Sequence, residues 1–215
     1  MIITVFDVET TGLLPDSDRI IEFGSVSFDY DGKEVYEFGS IIRPRRNSCY
    51  VPYEAYKIHG ISEEFIEEHG KLWSDVSVNI HKIFSRSDAL CAFNKDFDIS
   101  FIKNGLKGVD LEFPNKPCID PLSMAQRFIP YSTSPKKNLA ALCRMFDINL
   151  SDAHRAVYDS RATGQLLFKM LKELDIKIDD MVDNKVKMFG KYHTSVKHFD
   201  PLEALYSGLP KKSIK

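Results

Sequence analysis

A chain of 215 residues is long enough for one domain, with room for a small appendage, to bury a core without disulfides. With 43% hydrophobic residues, 28% charged residues and a formal net charge of −2, it has the balance of an ordinary globular protein and no global nucleic-acid signal. The dispersed cysteines Cys49, Cys91, Cys118 and Cys143 form no CxxC pair, which argues against a zinc site or a disulfide framework and fits a reducing cytoplasm; no basic-then-apolar leader and no run of about 18 apolar residues occurs, so neither secretion nor a membrane span is expected.

The nearly all-apolar run Ile2–Val8 predicts a strand in the middle of a covered sheet. Arg19–Pro44 predicts a hairpin turning at Asp31-Gly32, which makes the first three strands antiparallel neighbours. Val51–Gly70 predicts two short helices, the second capped by Ser62. Val76, Ile80, Ile83 and Phe84 recur at helical spacing within Trp73–Ser87. A short buried strand, Asp88–Asn94, leads into a helix expected to open at Asp98. Cys118–Ile129 reads as a strand end followed by a helix, and Asn138–Ile148 as another short helix. The last strong helix spans about Arg155 to Leu174, with a stripe at Ala162, Thr163, Leu166, Leu167, Met170, Leu171 and Leu174 that extends backwards to Asp159. The domain is expected to cover residues 1–178. Residues 179–215 form a basic extension, with seven lysines against Asp200 and Glu203 from Lys185 onwards. Hairpin strands followed by strands alternating with helices predict an α/β domain with a mixed sheet packed by helices.

Candidate chemistry begins with Asp7 and Glu9 at the end of the first strand. Residues two apart on a strand share a face, so a strand regular through Glu9 makes the two carboxylates converge. Buried carboxylates need a neutralising partner, and a hard divalent cation such as Mg²⁺ or Mn²⁺ takes such oxygen ligands together with substrate phosphates. Asp98 and Asp159 are the further candidates. His154 precedes Asp159 by five residues, about 140° around a helix; a place on the loop leading into the helix suits it better, where an imidazole can accept a proton from water near neutral pH. Taken singly, each has a plainer reading: a polar loop at the strand end, an N-cap at Asp98, an ion pair of Asp159 with Arg155 or Arg161, a surface histidine.

Together, "FDVETTGL", "NKDFDISF" and "HRAVYD" resemble the three motifs of the DnaQ-like, DEDDh-type 3′–5′ exonucleases. The resemblance runs from about Ile2 to Leu174 and includes "DRIIEFGSV", "PYEAYKIHGISEEF" and "NLAALCRMFDI". These segments are most similar to the proofreading epsilon subunit of bacterial replicative polymerase. The resemblance implies an RNase-H-like α/β fold with a central mixed five-stranded sheet flanked by helices. It implies two Mg²⁺ or Mn²⁺ ions held by Asp7, Glu9, Asp98 and Asp159, with His154 as general base.

By the same resemblance, Thr10, Gly12 and Leu13 match the turn that holds the terminal nucleotide. Ile58 and His59 match the segment against the terminal base and its 3′-hydroxyl side, and Asn94 and Phe97 the second-motif positions near the nucleotide. Core packing is the plainer reading of Leu13, Ile58 and Phe97. Lys95, Lys136 and Lys137 are candidates for phosphate contacts. The implied substrate is nucleic acid, DNA ahead of RNA, with a polymerase or repair protein as a partner. An RNA-trimming relative and an idle nucleic-acid-binding module are the alternatives. No segment like the epsilon subunit's polymerase-binding part follows Leu174, and "FGKYHTSV" (Phe189–Val196) is similar to a small element of some stand-alone relatives; together these favour a stand-alone or loosely recruited nuclease. Oligomeric state is not legible.

Overall fold

The computed structural model describes residues 1–44, 50–134, 136–150 and 154–182; the basic extension from Lys185 and the Phe189–Val196 segment lie outside them. At the centre is β1 (Ile3–Thr10), paired antiparallel with β2 (Ile20–Phe28), which pairs antiparallel with β3 (Glu34–Arg43). The β2–β3 turn is closed by Asp29, whose Oδ1 accepts the Asp31 and Lys33 N–H groups at 3.0 and 2.9 Å, while Gly32 takes φ 81°. On its other edge β1 pairs in parallel with β5 (Ala89–Cys91), and β5 with β6 (Cys118–Ile119). A two-residue strand, β4 (Lys71–Leu72), adds in parallel to the end of β3. Among the described residues the sheet therefore has six strands in the order β4-β3-β2-β1-β5-β6, one more than expected. The β4 pairing involves only Ile42–Lys71 and Arg43–Leu72, too short to leave any alternation in the sequence.

Between the strands run α1 (Tyr53–His59), α2 (Glu63–His69), α3 (Trp73–Arg86) and α4 (Lys95–Lys107), and after β6 come α5 (Pro121–Phe128), α6 (Leu139–Met145), α7 (Ala156–Glu173) and α8 (Ile178–Val182). Ser62 caps α2 as expected, its Oγ accepting the Phe65 N–H at 3.1 Å. The two faces of β1 divide the core. Ile3 and Val5 join the cluster built on α5, α6, α7 and α8, whereas Phe6 and Val8 join the one built on α3 and α4. Full burial of α7 side chains such as Leu166, Leu167 and Met170 is worth roughly 1.5–3 kcal/mol each. With both faces covered, β2 is buried along its whole length, which removes the alternation expected of a half-exposed strand. The helical core continues through Ile178 and Met181 of α8. Among the described residues no helix is long and apolar enough to cross a membrane.

One boundary differs from expectation. Helix α4 starts at Lys95, so Asp98 lies inside its first turn and does not open it. The chain enters the helix through Asn94 in the left-handed region (φ 62°), without a side-chain cap.

Candidate active site

The β1–β2 ladder pairs Asp7 with Gly24 and Glu9 with Glu22, and its register shifts only between Glu9 and Thr10. The strand thus stays regular through Glu9, and Asp7 and Glu9 continue the row begun by Ile3 and Val5 on the α7 side of the sheet. Asp98 arrives from α4. It is 2% exposed, and its Oδ1 accepts the Val8 N–H at 3.1 Å, which ties α4 to the strand between the two acids. Asp159 stands in the first turn of α7. Its Oδ2 accepts the His154 N–H at 3.1 Å, while its Oδ1 is buried without a hydrogen-bond partner among the described residues. His154 lies outside the helix, exposed, with φ 68°.

Burial and the neighbouring charges raise the proton affinity of these carboxyls. Burial raises the Asp7 carboxyl well above the ordinary range, and Asp98, Glu9, Asp159 and Glu22 push it further. Burial, then Asp159, Glu22 and Asp98, lift Glu9 to about 8 against the pull of Arg155. Asp98 is raised to about 8, mainly by burial, although its backbone hydrogen bonds oppose the shift. Asp159 is also raised, chiefly by burial, against the His154 N–H. Such a cluster must either hold protons or bind a cation. Donor atoms of Glu9, His154 and Asp159 all lie within 4.8 Å of one another. An oxygen-rich set with the unpartnered Oδ1 of Asp159 fits a hard divalent cation.

The residues expected around the terminal nucleotide differ in exposure. Thr10 Oγ1 donates to the Gly12 carbonyl at 2.6 Å, which tightens the turn before Leu13. Leu13 is 79% and Ile58 60% exposed, so neither is a core residue. Phe97 is half-buried, its ring centroid 5.0 Å from that of Phe101. His59 is buried, and its Nδ1 accepts the Ile61 N–H at 3.0 Å. The neutral ring therefore carries its proton on Nε2, and burial, followed by the nearby His154, lowers its pKa. Asn94 is exposed. Lys95 is paired with Asp96 at 3.0 Å, and Lys137 donates to the Ser134 carbonyl at 3.1 Å.

Three acids escape a reading by motif. Glu22, 4% exposed, accepts Arg155 Nε at 3.0 Å and the Ala156 N–H at 3.1 Å. Asp18 accepts Thr11 Oγ1 at 3.3 Å and the Leu14 N–H at 2.8 Å, bracing the turn that carries Leu13. Asp120 caps α5 through the Leu122 N–H at 2.9 Å and accepts the Asn94 N–H at 3.0 Å. A glutamate inside the apolar run "RIIEFGSV" is the only signal of the three that stands out in the chain itself, because an unpaired charge there would be costly.

The sheet order and the acids gathered at the end of β1 define an α/β protein of the RNase-H-like class. An exonuclease family model matches residues 4–167, and the chain belongs to that family, as a DnaQ-like 3′–5′ exonuclease domain. PolC-type DNA polymerase III of Oceanobacillus iheyensis is 34% identical over 170 residues, which cover 79% of this chain and 11% of that protein. The Bacillus subtilis PolC-type polymerase is 33% identical over 210 residues, 94% of this chain and 14% of that protein. The chain thus spans only a small part of the length of these relatives. E. coli exonuclease I in complex with a dT13 oligonucleotide shares the fold (TM-score 0.72, 19% identity, covering 85% of this chain and 43% of that one). Exonuclease X in complex with 5′ overhanging duplex DNA superposes with TM-score 0.65 at 26% identity, covering 84% of this chain and 98% of that one.

Proposed function

We propose that this chain is a divalent-metal-dependent 3′–5′ exonuclease that hydrolyses the terminal phosphodiester of single-stranded or frayed DNA and releases nucleoside 5′-monophosphates. The observation that carries the reading is the gathering of Glu9, His154 and Asp159 donor atoms within 4.8 Å of one another, with Asp7 two residues before Glu9 on the same strand and Asp98 tied to the Val8 N–H between them. These four carboxylates would hold Mg²⁺ or Mn²⁺. The ions would supply charge stabilisation at the phosphate and lower the pKa of the attacking water.

The chain's own groups do the rest. His154, on its turn before α7, accepts the proton as water attacks phosphorus. The bond from phosphorus to the 3′ oxygen of the penultimate nucleotide then breaks, so the phosphate leaves with the terminal nucleoside. Leu13 and Ile58, both exposed, grip the terminal base, with His59 on the 3′-hydroxyl side. Apolar gripping is tolerant of sequence and suits an unpaired end. The preference for DNA is supported by the oligonucleotides named with exonuclease I and exonuclease X and by the polymerase relatives; by the same likeness a polymerase or repair protein is the natural partner. Residues 1–178 would form the catalytic domain and 179–215 an appended segment, in a chain that works in the cytoplasm.

The test uses matched 5′-labelled DNA and RNA oligonucleotides with Mg²⁺, Mn²⁺ or EDTA, beside an Asp7→Ala control. A metal-dependent ladder from the 3′ end of DNA, absent in the variant, is expected. A ladder on RNA alone would move the substrate to RNA, and no cleavage by folded, metal-loaded protein would overturn the reading.

A further inference from the structure

We propose that Glu22 is a positioning residue: it sets the segment from His154 to Asp159 against Glu9 by gripping the N-terminal end of α7. The inference rests on the metal-dependent reading of the site. Helix α7 begins without a side-chain cap from its own chain, since Arg155 at the N-cap position provides none. The first amides of a helix are orphan donors at its positive end and call for an acceptor, best an anionic one. Glu22 supplies it from β2, with Oε2 on the Ala156 N–H and Oε1 on Arg155 Nε. Both oxygens are thereby committed and the side chain is 4% exposed, so Glu22 is set to hold the arm and not to ligate a cation or touch substrate.

Two neighbouring features make the grip a rigid one. A Cβ on Gly24 would lie 2.2 Å from the Ala156 carbonyl carbon, so α7 rests directly on the β2 backbone. Ser160 Oγ donates to the Gly24 carbonyl at 3.1 Å, or to that of Ala156 at 2.7 Å. Glu22 is also the ladder partner of Glu9. The strand position that holds α7 is therefore adjacent to the strand position that carries one candidate ligand, while the helix it holds carries another. A supporting shell of this kind fixes ligand geometry, and its loss typically costs about 10–100-fold in metal affinity or activity.

The experiment titrates Mn²⁺ into the full chain without nucleic acid, by electron paramagnetic resonance, and measures kcat and KM on a labelled oligonucleotide. Glu22→Ala is expected to weaken Mn²⁺ binding and lower kcat by about 10–100-fold each, with KM nearly unchanged because Leu13 and Ile58 are untouched. Glu22→Gln, which keeps one acceptor for the Ala156 N–H, falls between this variant and the parent. Arg155→Met removes the solvent-side half of the grip and is expected to weaken Mn²⁺ binding severalfold. Combined with Glu22→Gln it adds less than the sum of the two effects, as partners in one contact do. Folded Glu22 variants that keep parental Mn²⁺ affinity and kcat would overturn the proposal. Should Glu22→Ala not fold, parental Mn²⁺ affinity and kcat in folded Glu22→Gln would do the same. A parent that binds Mn²⁺ but cleaves nothing would sink the exonuclease reading alone, and the Mn²⁺ titrations would still decide the role of Glu22.

Discussion

His154 and Asp159 are joined by one hydrogen bond, and its direction separates their roles. The His154 backbone N–H, not its ring, donates to Asp159 Oδ2, so this bond does not engage the imidazole, which sits on a turn with φ 68°. A ring held in this way can take a proton without releasing the carboxylate. His154→Ala is therefore expected to lower kcat by about 10²–10⁴-fold while Mn²⁺ affinity stays near the parental value. Because a ring nitrogen of His154 also lies within 4.8 Å of Glu9 and Asp159 donor atoms, the titration is a real alternative: a parallel loss of affinity would make the imidazole a ligand. Leu13 and Ile58 allow a second separation. Both are exposed, so Leu13→Ala and Ile58→Ala should change stability by no more than about 0.5 kcal/mol. KM for an oligonucleotide with an unpaired 3′ end should rise severalfold. An unchanged KM in both variants would remove these residues from the binding surface.

Elements bring these residues together, and α7 on β2 is the critical contact. Gly24→Ala places a methyl group 2.2 Å from backbone atoms of Ala156 and Val157, where no rotamer change can relieve it. The helix must lift. The expected cost is about 1–3 kcal/mol, the range for overpacked sites, together with a fall in kcat as Asp159 moves away from Glu9; a fully active, equally stable variant would show that α7 can shift without consequence. The same contact shows what a chain can disclose before it is folded. Strand β1 and the stripe of α7 were legible because an unbroken apolar run and a 3.6-residue period are local signals. The four carboxylates were recognisable through motif resemblance, and the regularity of β1 to Glu9 was a condition that the ladder meets. Glu22 stands out as a charge in an apolar run, but what it holds was not legible. Its role depends on facing Glu9 across a ladder and lying under a helix more than 130 residues later in the chain, which no local period encodes. The start of α4 was misplaced because Lys95 and Asp96 are polar and Asn94 takes a left-handed turn that resembles a loop. Strand β4 has two residues, below the length at which alternation exists, whereas the strand end at Cys118 was read as such.

For the whole molecule, the site is a stability cost that varies with pH. Unfolded, Glu9 and Asp98 would ionise near their ordinary values of 4.5 and 3.8; folded, each holds its proton up to about 8. Between those limits these two groups hold more protons in the folded chain than in the unfolded one, so their contribution to metal-free stability falls as pH rises through this window. A tenfold change in proton affinity is worth about 1.4 kcal/mol, and several carboxyls act together, so the effect is large beside the marginal stability of a domain. In EDTA the thermal midpoint is expected to be lower near about pH 9 than near about pH 6. Mn²⁺ should reverse the trend, because the cation takes the place of the protons and stabilises by about 2.7 kcal/mol at a hundredfold excess over its dissociation constant. Asp98→Asn removes one of the crowded charges. It should raise the alkaline midpoint in EDTA, unless the lost anionic acceptor for the Val8 N–H outweighs the relief, and it should blunt the response to Mn²⁺. Asp7→Asn gives the cleaner measurement, since Asp7 feels the other carboxylates directly and no hydrogen bond of its side chain is at stake among those described. A metal-free midpoint that climbs between these two pH values would mean that the four carboxylates do not share one buried site, and the metal-binding reading would fall with it.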